Sequence, residues 1–484
     1  MKRFFKIFVA ALAVVMVASA VLCANAQESA RRVDPATLQP TSDRVVFIKD
    51  APAGGTLSGD GSGFDADNPY IPSEHEQFDP TADYPQNHLK TAFYQATEML
   101  GDDGGTIVIC GPVHLGLNES YGSGDSTKDV FTYKWGTKKV IKFTSVYNGV
   151  DYRETAGAKI TLATPAEIGV MGSSIWENIT IVTDGTDRVM SFASCPTLIG
   201  EGFETYPKDE AYNEVAANYL SVSGGHRYAR GDDQIPTLTI KSGTFNKVVA
   251  GLWGVTTNKE MTNATTYLTL EGSTTVLGSV IGTIGKNTNF SGHVNITING
   301  GKYNCDIFGV GKTGMTNDDG SVDLVINGGD FSEAWSICST APGMTNKAPS
   351  VSILDLSGYT GDKVALAQAF GVAADFSLVK LPEGVTADQL VELVNKETEP
   401  ETEAVTVPET ENQTEKPEDK EEPKETEKAE ETEGNNGTQN NDAQNNTSSG
   451  DSNLMLILII VIVVAVVVIA GFGIVIVVLL KKKK

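Results

Sequence analysis

The chain has 484 residues, 20% of them charged, and a formal net charge of −25 at pH 7. An acidic surface of that kind repels polyanions and excludes nucleic acid as a partner. It also disfavours uronate polymers unless Ca²⁺ bridges the two sets of carboxylates.

Lys2, Arg3 and Lys6 precede an apolar run from Ile7 to Leu22, and Ala24-Asn25-Ala26 offers a small-x-small cleavage site. Residues 1–26 are therefore expected to be a secretory signal peptide. Residues 27–43 are polar and read as loose, and order is expected to begin with a strand over 44–50. The glycine-rich stretch at 51–70 has no Gly-Lys-Ser/Thr and no following helix, so it reads as an exposed loop. From His88 to Leu100 the apolar residues fall at helical spacing, which predicts a short amphipathic helix. It runs into GGTIVICGPVHL at 104–115, whose Ile107, Ile109 and Val113 predict the first strand of a stack, with the helix covering its open end.

Further strands are expected at 158–163, 176–182 and 218–225. The stretch 197–217 between them is long and polar, and is expected to project as a loop, a common place for function. Then comes the clearest pattern in the chain: VNITINGGKY at 294–303 returns 28 residues later as VDLVINGGDF at 322–331. Looser copies put the last apolar residue before each turn at Ile240, Leu270, Ile298, Ile326 and Leu356, spaced 30, 28, 28 and 30. A fixed short period means stacked structural units. Val294, Ile296 and Ile298 alternate with Asn295, Thr297 and Asn299, the period of a half-buried strand. Gly300 and Gly301 permit a sharp bend, after which Tyr303 or Phe331 returns an aromatic ring to the interior. In a parallel stack Asn299 and Asn327 sit about 4.8 Å apart, close enough for their amides to bond. The Leu-x-x-Leu-x-Leu phrase of leucine-rich repeats and the three-four spacing of helical repeats are both missing.

The last strands are expected within 360–381, followed by a closing helix over 386–394 with Thr386 and Gln389 at capping-box spacing. Residues 397–433 hold 16 Asp or Glu and 4 Lys. Residues 397–453 are thus expected to be a disordered acidic stalk. Leu454–Leu480 carries no charge over 27 residues and is closed by Lys481–Lys484. That predicts one transmembrane helix with a cytoplasmic basic tail and an extracellular ectodomain. The tail resembles a Gram-positive cell-wall sorting signal, but Asn446-Thr447-Ser448-Ser449-Gly450 stands where that family has Leu-Pro-x-Thr-Gly, so membrane retention is expected.

Beyond the signal peptide, Cys110, Cys195, Cys305 and Cys338 show no metal-ligand spacing. Three disulfide pairings are open to them, and buried thiols are the reading adopted. Aligned on the two best repeats, Cys338 falls opposite Val310 and Cys305 opposite Glu333.

An early GDGSG…NPY loop, an amphipathic helix, a GGTIVI strand and strand-turn units of about 28 residues together resemble the right-handed parallel β-helix, or pectin-lyase-like, superfamily over roughly 44–381. The resemblance implies an all-β, right-handed parallel β-helix solenoid, assigned here to 44–396 with short capping helices. Lyases of that superfamily use an Arg as base and an Asp cluster for Ca²⁺, which directs attention to His226, Arg227, Arg230, Asp232 and Asp233 within GGHRYARGDD. Local salt bridges in a solvated turn are the reading adopted for those residues. Asn317, Asp318 and Asp319 are hard oxygen donors suited to Ca²⁺, yet Asp-Gly between strands is first a turn signal. Trp135 and Trp176 are candidates to stack on sugars, whereas Trp253 and Trp335 lie on strand segments and read as packing residues. The sequence reading is non-catalytic recognition of glycans or neighbouring surface proteins, with no cofactor beyond possible Ca²⁺. A polysaccharide lyase or glycoside hydrolase is the competing class, and a structural spacer the third.

Overall fold

The computed structural model describes residues 32–49, 63–69, 96–97, 99–115, 134–162, 167–192, 194–225, 235–252, 261–282, 290–311, 320–341, 349–362 and 375–386. All of them lie in the first of the two units into which the chain divides, residues 1–403. The expected signal peptide, stalk and transmembrane segment fall outside them. Among the described residues no helix is long and apolar enough to cross a membrane.

The described chain is mostly β-strand, and almost every pairing is parallel. A first series joins β1 (Val45–Ile48), β2 (Gly105–Ile109), β4 (Lys134–Thr144), β9 (Met171–Glu177) and β12 (Thr197–Ile199) to the opening residues of β15 (Thr237–Leu252) and β16 (Met261–Ile281). It continues through β17 (Phe290–Ile298), β20 (Ser321–Ile326), β22 (Val351–Asp355) and β23 (Leu378–Lys380). Val46, Ile107, Phe143, Trp176, Ile199, Ile240, Leu270, Ile298 and Ile326 stand opposite one another in successive strands, all buried. The alternation of apolar and polar residues causes this, as in β20, where every second residue is buried. The column extends the predicted one upstream, and the first strand is β1 rather than β2.

A second series contains β3 (Pro112–Leu115), β7 (Lys159–Leu162), β10 (Thr180–Thr183) and β13 (Glu204–Pro207). Later in the chain its place is taken by Thr244, Thr275, Lys302 and Asp330, paired in that order through β15, β16 and β18 (Lys302–Tyr303). The third series holds β8 (Glu167–Gly169), β11 (Val189–Ser191), β14 (Ser221–Gly225), the ends of β15 and β16, β19 (Asp306–Val310) and β21 (Ser336–Thr340). Here Ile168, Met190, Val222, Val248, Val280, Ile307 and Ile337 align. From β7 to β22 the chain visits the three series in constant order.

The Asn-Gly-Gly phrase turns the chain between the first and second series. Its second glycine has φ +96 at Gly301 and +118 at Gly329, backbone that an L side chain resists. Asn327 Nδ2 donates to Asn299 Oδ1 at 2.9 Å, the expected amide bond along the stack. Tyr303 and Phe331 enter the core with parallel rings 5.1 Å apart, and Tyr359 follows Phe331 at 6.1 Å. Phe203 and Phe245 repeat the stack upstream at 6.0 Å.

Four expectations are corrected. Residues 197–217 are not a projecting loop, because Thr197–Ile199 and Glu204–Pro207 are β12 and β13 of the stack. Residues 32–43 are not loose: Leu38 is buried with Val140, Ile175 and Leu198 on the outer face of the first series, and Arg32 lies over the Tyr267 ring. Leu38 covers apolar side chains that alternation would otherwise leave in water. The cysteine alignment shifts by two residues: Cys338 pairs with Phe308, and Trp335 N–H reaches Cys305 O. The corner between Phe331 and Ser336 is two residues longer than that between Tyr303 and Asp306, which moves the frame. Finally, Trp176 is 2% exposed and Trp335 67% exposed, the reverse of the expected roles. The side chains of Trp135 and Trp253 lie outside the described residues, as do 364–370 and the helix expected over 386–394 apart from Thr386.

Among the described residues Cys110, Cys195, Cys305 and Cys338 are buried, and none of them is in a disulfide. Of the helix expected over 88–100, the described Ala96 and Leu100 are buried, and Leu100 N–H donates to Ala96 O as in a helical turn. At β21, the last described strand of the third series, the Asp375 carboxylate accepts the N–H groups of Ser339 and Thr340 and the Ser339 hydroxyl.

Candidate functional site

Between β4 and β7 the chain leaves the stack to make an antiparallel hairpin, β5 (Val146–Tyr147) with β6 (Val150–Asp151), and a short helix, Tyr152–Ala156. Asp151 caps that helix by accepting Arg153 N–H at 2.9 Å, and Gly157 ends it in a left-handed conformation. The excursion sets Asp151, Arg153 and Glu154 beside the outward side chains of the second series. There Glu204 stands opposite Thr180 in the neighbouring strand.

Together these residues line an open cavity of about 380 Å³, walled by Asp151, Arg153, Lys159, Thr180, Glu204 and Tyr206. The Arg153 fork grips Asp151 from Nε and Nη2 at 3.0 and 2.6 Å, and Nη1 donates to Gly202 O at 2.9 Å. Glu204 accepts the Thr180 hydroxyl at 3.2 Å and approaches Arg153 at 4.0 Å. The guanidinium's hydrogen bonds hold Asp151 below the usual carboxylate range, and Asp151 in turn pushes Arg153 above its own. Arg153 is thus held charged and serves to orient the Asp151 carboxylate. Tyr206, 40% exposed, adds an aromatic face, and burial keeps its phenol protonated. Carboxylates and guanidinium that accept and donate around one aromatic ring can hold a neutral polyhydroxylated ring.

A second group of titratable side chains lies on the outer face of the first series. His293 bonds the Ser321 hydroxyl at 2.7 Å, Asp323 stands two residues further along β20, and Asp355 pairs with Lys380 at 2.8 Å. Lys380 and Ser357 hold Asp355 down, whereas burial raises Asp323. Asp323 is opposite Ile353, so Asp355 is one strand over and two residues on, about 8 Å away along the backbone lattice.

His226, Arg227, Arg230, Asp232 and Asp233 lie outside the described residues, between the ends of β14 and β15. So do Asn317, Asp318 and Asp319, between β19 and β20. Among the described residues no three His, Cys, Asp or Glu are placed to hold a metal ion. The cavity residues were missed because they come from three separate segments. The alternation in Glu204-Thr205-Tyr206-Pro207 was the available signal, for it marks a half-buried strand inside a stretch read as loop.

No known protein family, curated protein or solved structure matches the chain.

Proposed function

We propose that this chain is an extracellular, membrane-anchored parallel β-helix protein that recognises neutral glycans without cleaving them. The observation that carries this reading is the cavity over the second series, whose lining exposed Tyr206 shares with Asp151, Arg153, Thr180 and Glu204. The three strand series visited in constant order support a solenoid of the pectin-lyase-like kind, and the chirality of parallel crossovers favours its right hand. The apolar run at 7–22, the acidic composition of 397–433 and the uncharged 454–480 segment support display at the end of a tether. The net charge of −25 argues against polyanionic ligands.

Affinity electrophoresis of the full chain in detergent through gels containing glucomannan, xylan or hydroxyethylcellulose tests the reading. Retardation by at least one polymer, lost in Tyr206→Ala and without release of new reducing ends, is the expected result. Unaltered mobility in every gel would refute neutral-glycan recognition.

A hydrolase is the second reading, favoured by the divided carboxylates Asp323 and Asp355. Burial raises the one and the Lys380 and Ser357 hydrogen bonds hold the other down, and the two stand on neighbouring strands. Reducing ends released by the unaltered protein and abolished by Asp323→Asn would establish it over the non-catalytic reading.

A further inference from the structure

The corner that follows Phe331 contains two residues more than its counterpart after Tyr303. Ala334, not Trp335, packs against the core there, and the Trp335 side chain is left 67% exposed. The fold needs neither the extra length nor an indole in water. Polar groups frame that corner. Lys302 and Glu333 form an exposed ion pair at 3.3 Å, Asp330 accepts both the N–H and the hydroxyl of Ser332, and Ser336 donates to Asp306 at 2.5 Å.

The corner is reached along the second series, which also carries the Tyr206 cavity. Thr205 of β13 bonds Thr244 O, and Thr244, Thr275, Lys302 and Asp330 pair in succession. Four strand steps thus separate Thr205 from Asp330, about 19 Å at the usual strand spacing, and Trp335 lies five residues beyond Asp330. Tyr206 shares its cavity with Arg153 and Glu204, and Trp335 follows Glu333 of the Lys302 ion pair by two residues.

We infer that Trp335 is a second glycan-stacking subsite, engaged by the far end of the same extended neutral oligosaccharide that enters the Tyr206 cavity. This deepens the proposed function and rests on it. The indole face takes the C–H face of a sugar ring, while Lys302, Glu333 and Asp306 supply hydrogen bonds to its hydroxyls. Only a ligand several rings long reaches both places, so Trp335 discriminates by length.

The test is calorimetric titration of the full chain in detergent with cellohexaose, mannohexaose and xylohexaose and with the matching disaccharides. For a hexasaccharide that binds, Trp335→Ala is expected to weaken affinity about tenfold, one aromatic stacking contact, while the disaccharide is unaffected. Trp335→Tyr should restore most of the loss, and Tyr206→Ala should weaken both ligands. An unchanged hexasaccharide affinity in Trp335→Ala, with Tyr206→Ala impaired, overturns the subsite and leaves the cavity reading standing. Loss in Trp335→Ala with Tyr206→Ala unimpaired overturns the cavity reading and the shared track. No binding by the unaltered chain overturns both.

Discussion

Phe143 and Trp176 stack at 4.1 Å with ring planes 12° apart, one on β4 and the other directly opposite on β9. The Trp176 indole N–H donates to Ser174 Oγ at 3.0 Å, and Ser174 in turn faces the Thr197 hydroxyl at 3.4 Å. Two polar side chains thus replace apolar ones in an inward column where the indole needs a partner. Trp176→Ala should lower unfolding free energy by about 3–5 kcal/mol. Trp176→Phe keeps the stack and should cost about 1 kcal/mol for the hydrogen bond. Urea titration followed by far-UV circular dichroism distinguishes them, and equal losses would refute this division.

Gly301 turns the chain at φ +96, and a Cβ there would lie 2.6 Å from Thr274 O. Gly301→Ala should therefore cost about 2 kcal/mol or more, since backbone and not a flexible side chain blocks the space. Asn327→Ala removes an exposed amide bond and should cost no more than about 1 kcal/mol. Thermal midpoints in the reverse order would contradict this account of the turn.

Burial pushes the Cys110 and Cys338 thiols up to about 11 and raises Cys305 further. All four cysteines of the folded region should resist iodoacetamide at pH 8 in the native state and react after denaturation. Peptide mapping that finds a disulfide or a native-state adduct would contradict this.

Asp151 is held below its ordinary range by the Arg153 hydrogen bonds. Its folded value lies under its unfolded value, so its stabilisation is complete above about pH 4 and is lost as pH falls through the folded value. Asp151→Asn should cost about 1 kcal/mol at pH 7, and the difference should shrink below pH 4. Asp323 has the opposite sign: burial raises it, so keeping it ionised at neutral pH works against folding. Asp323→Asn should therefore stabilise the protein at pH 7. Urea midpoints of both variants across pH 3–7 check the two signs together.

The inward columns and the Asn-Gly-Gly turn were legible in sequence because period two and left-handed glycine are local demands. The expected column from Ile240 to Ile326 and the Asn299–Asn327 bond are both present. Corners carry no period, so the two additional residues before Ser336 went unseen, and with them the exposure of Trp335. The docking of residues 32–43 depends on Leu38 meeting Val140, Ile175 and Leu198, contacts over 100 residues away that composition does not encode. The cavity likewise exists only once parallel register brings Thr180 beside Glu204.

Neutral-glycan binding at the Tyr206 cavity is tested most directly by calorimetric titration of the full chain with a glucomannan or xylan oligosaccharide at pH 7. Saturable binding, weakened about tenfold by Tyr206→Ala with unfolding midpoints unchanged, is the predicted result. Binding of equal affinity in the variant, or none in the unaltered protein, would contradict it.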